Sequence, residues 1–161
     1  MESPEVTASQ YRFIKENFDL FDEIFTFDSE LLELSPKFTL VPLGGCWIEF
    51  QDRLVHDKTR NLSAIVSNKR FLPGHKLRHD IVDRFNGIDV FGGGYEPIEN
   101  KISGLKDYRF QIVVENCKKD YYFSEKLIDC FVTGTIPIYW GCPSIGDFFD
   151  LGGVITFDTV E

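Results

Sequence analysis

Several features that would assign this sequence to a known class are absent. Its four cysteines show no C-x-x-C spacing, and its three histidines complete no zinc pattern. We therefore expect free, buried thiols and no metal site. Neither a Walker A motif nor a G-x-G-x-x-G dinucleotide fingerprint occurs. The cysteines are Cys46, Cys117, Cys130 and Cys142.

Positive charge is also scarce, with 17 Lys and Arg against 26 Asp and Glu and a formal net charge of -9. This balance argues against a nucleic-acid partner, whose phosphate backbone needs clustered cations. A small phosphate-bearing ligand needs only a few local cations and stays possible. No apolar run approaches the roughly 20 residues that span a bilayer, and no secretory signal opens the chain. We therefore expect a cytoplasmic location.

What the sequence does contain is apolar material for a core. Hydrophobic residues make up 43% of the 161 residues, including 16 Phe, which is too apolar for a disordered chain. With no repeat and no linker, we predict a single domain over residues 1–161. Residues 1–59 are interpreted as a joining segment and 60–161 as the core. Both ends look cut, which suggests a fragment of a longer protein.

Short apolar strands alternate with amphipathic helical segments along the chain. This rhythm predicts an α/β fold, a Rossmann-like three-layer domain with a mainly parallel sheet. Ligands of such folds bind beyond the carboxyl ends of the strands, here the loops 67–70, 92–96, 115–122 and 141–144. The predicted helices cover residues 8–19, 28–34, 73–85 and 121–132. The predicted strands cover 23–27, 38–42, 62–66, 88–91, 110–114, 135–140 and 154–157, and 46–59 is left unassigned.

The first candidate site follows the strand at 110–114. Glu115 and Asn116 end this strand, and a predicted helix soon begins with Ser124, Glu125 and Lys126 in its first turn. A helix N-terminus beside a lysine can bind a diphosphate, and Glu125 could accept hydrogen bonds from ribose hydroxyls. Ordinary helix capping with a solvated lysine would give the same pattern.

The second candidate site follows the strand at 62–66. Ser67 and Lys69 lie in a loop before a helix, and Arg78 lies one turn into that helix, where its planar fork of donors could reach a phosphate. A solvated basic loop with Arg78 in a surface ion pair is the alternative. The run Gly92–Gly94 could let the backbone approach a ligand closely, but we favour its interpretation as a flexible turn. We expect Trp47 and Trp140 in the core and His79 on a helix surface.

Three elements together resemble one enzyme family. The run YRFQIVVEN (108–116), then YFSEK (122–126), then GTIPIYWG (134–141) is similar in order and spacing to the signature of the family 10 α-1,3-fucosyltransferases. Ser67, Arg78 and the run 89–92 are also similar in order. The resemblance covers about residues 60–157 and extends more weakly over 1–59.

The resemblance implies a GT-B glycosyltransferase, in which two Rossmann-like domains face a cleft and the C-terminal one binds GDP-fucose. Inverting transfer of fucose to a glycan acceptor would then need no cofactor and no metal. By match, Arg78 and Lys126 would hold the diphosphate, with Ser67 and Lys69 nearby. Asn116, Tyr122 and Glu125 would hold the sugar or ribose side.

Two features of this sequence depart from the family pattern. Cys117 stands where the family commonly has serine after Glu-Asn. The family's general base is a carboxylate of the N-terminal, acceptor-binding domain, which we do not find in this chain, so no catalytic residue is assigned. A transferase for another nucleotide sugar, a non-catalytic nucleotide- or sugar-binding module, and a purely structural domain are the alternatives.

Overall fold

A computed structural model describes residues 6–160 of the chain. Its centre is a five-stranded sheet in which every neighbouring pair is parallel, with the strand order β4-β3-β5-β6-β7. The predicted α/β fold with a parallel sheet is confirmed. The strands are β3 Arg60–Ile65, β4 Asp89–Phe91, β5 Tyr108–Val114, β6 Ile136–Trp140 and β7 Ile155–Thr156.

Two longer helices connect these strands. The helix α3 (Pro73–Arg84) joins β3 to β4, and α4 (Glu125–Thr133) joins β5 to β6. These two connections step in opposite directions along the sheet, so right-handed crossovers place the helices on opposite faces. On the α4 face, Leu127 and Cys130 pack with Val113 and Tyr139 in the main core cluster.

The opposite face carries an apolar groove beside α3. Ile81 of α3 and Phe85, which directly follows this helix, line it together with Ile112 and Ile138, which are paired neighbours on β5 and β6. Alternation along these strands sends successive side chains to opposite faces, as expected for strands covered by helices on both sides.

The reversal of strand order determines where a ligand can bind. The chain leaves β3 toward β4 but leaves β5 toward β6, so the two connections diverge between the carboxyl ends of β3 and β5. A crevice opens at such a switch point, and it is the usual binding position in parallel α/β sheets. The two loops that follow β3 and β5 are those chosen from the sequence.

A smaller unit precedes this sheet. It contains α1 (Ala8–Asn17), β1 (Ile24–Thr26), α2 (Ser29–Leu34) and β2 (Phe38–Leu40), and its two strands pair in parallel. Its core consists of Tyr11, Ile24, Leu31 and Phe38.

The small unit is attached to the loop that follows β5. The buried carboxylate of Asp28 lies 2.6 Å from the ammonium of Lys119. Beside it, the Phe27 ring contacts the Tyr122 ring at 5.2 Å between centroids, and Cys117 completes a buried cluster. Cys117 is therefore a packing residue here.

The segment left unassigned, 46–59, lies against α4, with hydrogen bonds from the backbone N–H of Trp47 to Asp129 and from that of His56 to Thr133, and contains a 3-10 turn at Phe50–Asp52. Near its end, the ammonium of Lys58 donates to the carbonyls of Leu105, Lys106 and Thr133. Burial lowers the pKa of Lys58. The hydrogen bond to Thr133 satisfies a carbonyl at the end of α4 that has no partner within the helix.

Three sequence expectations were wrong in detail. The helix predicted at 121–132 begins only at Glu125, because Tyr121 has a φ of 62°, which no helix accommodates. His79 is 2% exposed and its ring nitrogens contact the Tyr95 hydroxyl and the Lys69 carbonyl. Trp47, expected in the core, is 68% exposed, whereas Trp140 is half-buried.

The thiols agree with expectation: all four cysteines are free, with Cys46 half-buried and the other three buried. No helix within residues 6–160 has the length and apolar character to cross a membrane. The prediction of one domain with a joining segment at 1–59 stays a prediction.

Candidate functional site

A cleft of about 710 Å³ lies at the carboxyl ends of β3 and β5. All seven residues selected from the sequence line it, although they are spread over about 60 positions of the chain. Further lining residues that sequence reasoning did not select include Trp47, His75, Lys101, Ser124 and Asp129. The selected residues are Ser67, Lys69, Arg78, Asn116, Tyr122, Glu125 and Lys126.

Arg78 is the most buried cation of the cleft, at 8% exposure. Its Nε and Nη2 donate to the Val114 carbonyl, and Nη2 also donates to Asn116 Oδ1 at 3.0 Å. Burial lowers the pKa of Arg78, and the charge of Glu115 opposes this effect. Arg78 is therefore fixed on the end of β5, and its Nη1 makes no hydrogen bond within the described part of the chain. The surface ion pair considered as an alternative is not present there.

Glu115, the residue that follows β5, is completely buried. Its carboxylate accepts from the Ser124 backbone N–H at 2.8 Å and from the Ser124 hydroxyl, and it lies 3.1 Å from the Lys126 ammonium. This carboxylate therefore occupies part of the N-terminal end of α4, where negative charge is stabilised. The Lys126 ammonium is held in place by Glu115 and by the Ser124 hydroxyl at 2.8 Å.

Two glycines make room for this arrangement. A Cβ on Gly74 would lie 1.7 Å from the Glu115 carbonyl oxygen, so α3 can start against β5 only with glycine at this position. A Cβ on Gly141 would lie 2.7 Å from Glu115 Cγ and 2.6 Å from the Tyr139 hydroxyl. The signature run that ends at Gly141 thus has a packing reason for its glycine.

Glu125 begins α4 and faces a second lysine. Its Oε1 lies 2.9 Å from Lys101 Nζ and 3.8 Å from Lys126 Nζ. Burial alone would raise the pKa of Glu125, but the charges of Lys126 and Lys101 and the Lys101 hydrogen bond outweigh it and lower that pKa. Glu125 is therefore ionised at neutral pH and can accept hydrogen bonds from hydroxyl groups.

Lys101 also binds Asp129, one turn further along α4. Lys101 Nζ lies 2.9 Å from Asp129 Oδ2 and 4.2 Å from the centroid of the Trp47 ring. Asp129 Oδ1 in turn accepts the Trp47 backbone N–H at 2.7 Å. The sequence could not indicate the contact between Trp47 and Asp129, because the two residues are 82 positions apart. By contrast, Glu125 and Asp129 are four residues apart on one helix, and this spacing could have indicated that both carboxylates lie on the same face.

The rim near β3 is formed by Ser67 and Lys69, half-buried and exposed respectively. Beside it, Gly92 has a φ of 108°, and a Cβ there would lie 2.3 Å from the Val66 carbonyl oxygen. The turn at 92–94 is therefore packed closely against the end of β3. It shapes one side of the rim and contributes no side chain to the cleft.

The cleft is positive although the chain is acidic. Its lining includes four cationic side chains and two carboxylates, and with the buried Glu115 behind them the formal net charge is +1. Such a site suits a diphosphate, because charge-assisted hydrogen bonds to phosphate oxygens are strong and directional. The cations are Lys69, Arg78, Lys101 and Lys126, and the carboxylates are Glu125 and Asp129.

Comparison with known proteins confirms the resemblance predicted from the sequence. The chain is 28% identical over 177 aligned residues to the alpha-(1,3)-fucosyltransferase FucT of Helicobacter pylori, which covers 83% of this chain and 37% of that protein. A shorter stretch of 64 residues is 33% identical to a putative fucosyltransferase-like protein of Arabidopsis thaliana, covering 38% of this chain and 12% of that protein. No family model matches the chain.

Solved structures match the fold. A crystal structure of an alpha1,3-fucosyltransferase aligns with a TM-score of 0.65 and 23% identity, over 87% of this chain and 53% of that one. A structure of alpha1,3-fucosyltransferase with GDP aligns at 0.64 and 22% identity, over 90% of this chain and 55% of that one. One with GDP-fucose aligns at 0.62 and 22% identity, over 87% and 54%. The chain thus spans little more than half of these structures.

Proposed function

We propose that this chain is the donor-binding part of a fucosyltransferase-like glycosyltransferase and that its cleft holds a GDP-sugar, with GDP-fucose as the first candidate. The observation that carries the proposal is the convergence of the two candidate sites, with their seven selected residues, on one positive cleft at the switch point of the sheet. Two of the matched structures are of alpha1,3-fucosyltransferase with GDP and with GDP-fucose, which supports the same ligand.

Arg78 and Lys126 are proposed to bind the diphosphate. Both cations are positioned before any ligand arrives, Arg78 by the end of β5 and Lys126 by Glu115 and Ser124. Preorganised positive groups stabilise the charge that develops on a leaving diphosphate, because they need not reorient during the reaction. In a transfer that breaks the bond between sugar and phosphate, this is the contribution that these two residues would make.

Glu125, Asn116 and Tyr122 are proposed to bind the ribose or sugar side. The ionised Glu125 carboxylate faces the cleft and can accept hydrogen bonds from adjacent hydroxyls. Ser67 and Lys69 would contact outer phosphate or sugar oxygens from the rim. Donor binding by these residues would need no metal or other cofactor, since the cations already lie where the diphosphate would bind.

Inverting transfer needs a general base that removes the acceptor proton on the face opposite the leaving group. We assign no residue of this chain to that role. The glycan acceptor and the base are proposed to come from an acceptor-binding domain of the whole protein, as in the resemblance stated from the sequence.

A calorimetric titration tests the donor proposal. The chain is titrated with GDP, GDP-fucose and UDP, each without added metal. Binding of GDP but not UDP supports a guanine-nucleotide site, and tighter binding of GDP-fucose points to fucose as the sugar. Equal binding of UDP would favour a transferase for another nucleotide sugar. Failure of all three to bind would contradict the proposal for this chain.

A further inference from the structure

Trp47 is an exposed aromatic residue in a place where exposure is unusual. It lies in the loop after β2, borders the cleft, and is 68% exposed. One face of its indole is covered by the Lys101 ammonium at 4.2 Å from the ring centroid. Because most of the Trp47 surface is exposed, a large part of the ring remains accessible to a ligand. Large exposed aromatic side chains at a cleft commonly mark binding surfaces.

The indole is held firmly despite this exposure. The backbone N–H of Trp47 donates to Asp129 Oδ1 at 2.7 Å, and Asp129 is 1% exposed. Lys101, which covers the ring, is itself fixed by Asp129 and Glu125, each at 2.9 Å. A cation against the face of an indole is attracted by the ring, which fixes the orientation further. The ring is thus positioned before a ligand binds, which reduces the entropy lost on binding.

Side-chain contacts connect the groups that line the cleft in two series. Asn116 links to Arg78 at 3.0 Å, Lys126 lies 3.8 Å from Glu125, and Glu125 lies 2.9 Å from Lys101. Trp47 follows Lys101 at the far end. Beyond Arg78 and Lys126, the lining therefore continues with the Glu125 carboxylate, then with the Lys101 ammonium, and ends at the Trp47 ring that this ammonium partly covers.

We propose that Trp47 is a stacking platform for the base of the bound nucleotide, with Lys101 and Asp129 as the residues that position it. The inference rests on the proposed function. In a nucleoside diphosphate the phosphates are joined to the ribose and the ribose to the base, in that order. With the phosphates at Arg78 and Lys126 and the ribose at Glu125, the base would extend along the cleft toward Lys101 and Trp47, the next groups after Glu125. A flat purine has the π-face that an open indole binds.

The test compares GDP with inorganic pyrophosphate, which carries the phosphate charges but no base. Trp47→Ala is expected to weaken GDP binding about tenfold, within the range for loss of one aromatic stacking contact. Its affinity for pyrophosphate should stay unchanged. Trp47→Phe should recover part of the loss. An unchanged melting temperature serves as the folding control, because an exposed ring contributes little to the core.

Fluorescence gives an independent measurement. In a Trp140→Phe variant, Trp47 is the remaining tryptophan, and GDP but not pyrophosphate should quench its emission. Equal GDP affinity of the wild-type and Trp47→Ala chains, or an equal loss for both ligands, would overturn the stacking role and leave the donor proposal intact. If the wild-type chain bound no GDP, the donor proposal would fail and this inference with it.

Discussion

The carboxylate of Glu115 and the ammonium of Lys126 form an ion pair of 3.1 Å across the loop between β5 and α4. The carboxylate is fully buried, and the Lys126 side chain is 27% exposed on the cleft side. Glu115 therefore supports the lysine from behind while the ammonium still faces the space where a ligand would bind. This pair connects the packing of the sheet to the charge of the cleft.

Lys126→Ala should weaken GDP binding by about 1.5–3 kcal/mol, the value of a hydrogen bond to a charged group. The loss arises because the ammonium would contact the diphosphate directly. Calorimetry on the variant measures it. Lys76→Ala, which removes an exposed lysine of α3 that does not line the cleft, is the matched control and should bind like the wild type. An unchanged affinity in Lys126→Ala would remove this residue from the proposed site.

Glu115→Gln should lower the free energy of unfolding by about 2 kcal/mol. The substitution removes the buried partner of Lys126 and replaces one acceptor of Ser124 by a donor, and breaking a buried pair is costly. Urea denaturation followed by circular dichroism gives the value. Glu16→Gln, on the exposed surface of α1, should leave stability unchanged. Equal stability of the two variants would show that the pair contributes little.

Gly141→Ala should destabilise the fold by roughly 1–3 kcal/mol, the usual cost of overpacking. The new methyl group would lie within 3 Å of Glu115 and Tyr139, neither of which has space to move. The matched control is Gly153→Ala, where a Cβ meets no atom within 4 Å. Thermal melting of both variants checks the difference, and a tolerated Gly141→Ala would mean that the wall of the cleft yields easily.

His75 should report on anion binding through its pKa. Burial lowers this pKa below the ordinary value of 6.5, and the neighbouring charges of Arg78, Lys69, Lys126 and His79 lower it further. Since the unfolded chain then binds the proton more tightly, His75 makes the free energy of unfolding rise as pH increases through about 6.5. A diphosphate offsets these cations, so GDP should raise the pKa.

NMR titration of the His75 ring with and without GDP measures this shift. His75→Gln identifies the signal, and UDP tests whether any nucleotide has the same effect. A pKa that GDP leaves unchanged, under conditions where calorimetry shows binding, would place the diphosphate away from Arg78.

The positions of the strands and of the two site loops could be predicted from sequence because their signals are local. Runs such as that at 62–66 are mostly apolar, and the polar residues after them mark the strand ends. The switch-point rule then brought Ser67 and Asn116 to the same edge of the sheet. The structure places both at the cleft.

What could not be predicted depends on contacts between distant segments. Trp47 has a large apolar side chain of the kind expected in a core. Its exposed position at the cleft follows from its hydrogen bond to Asp129 and its contact with Lys101. His79 has a polar side chain on a helix, but Tyr95 and the Lys69 carbonyl satisfy its ring nitrogens in the interior. The late start of α4 follows from the left-handed backbone at Tyr121.

The contact between Phe27 and Tyr122, reinforced by the ion pair of Asp28 and Lys119, gives the small N-terminal unit a route by which it would couple to ligand binding. Tyr122 belongs both to that contact and to the cleft. If GDP binds more tightly when the small unit is packed on the loop after β5, then GDP must stabilise this packing by the same factor, because the coupling between the binding and the packing equilibria is reciprocal. Hydrogen exchange in residues 24–40 should then slow when GDP is added, and unchanged exchange would show that the two events are independent.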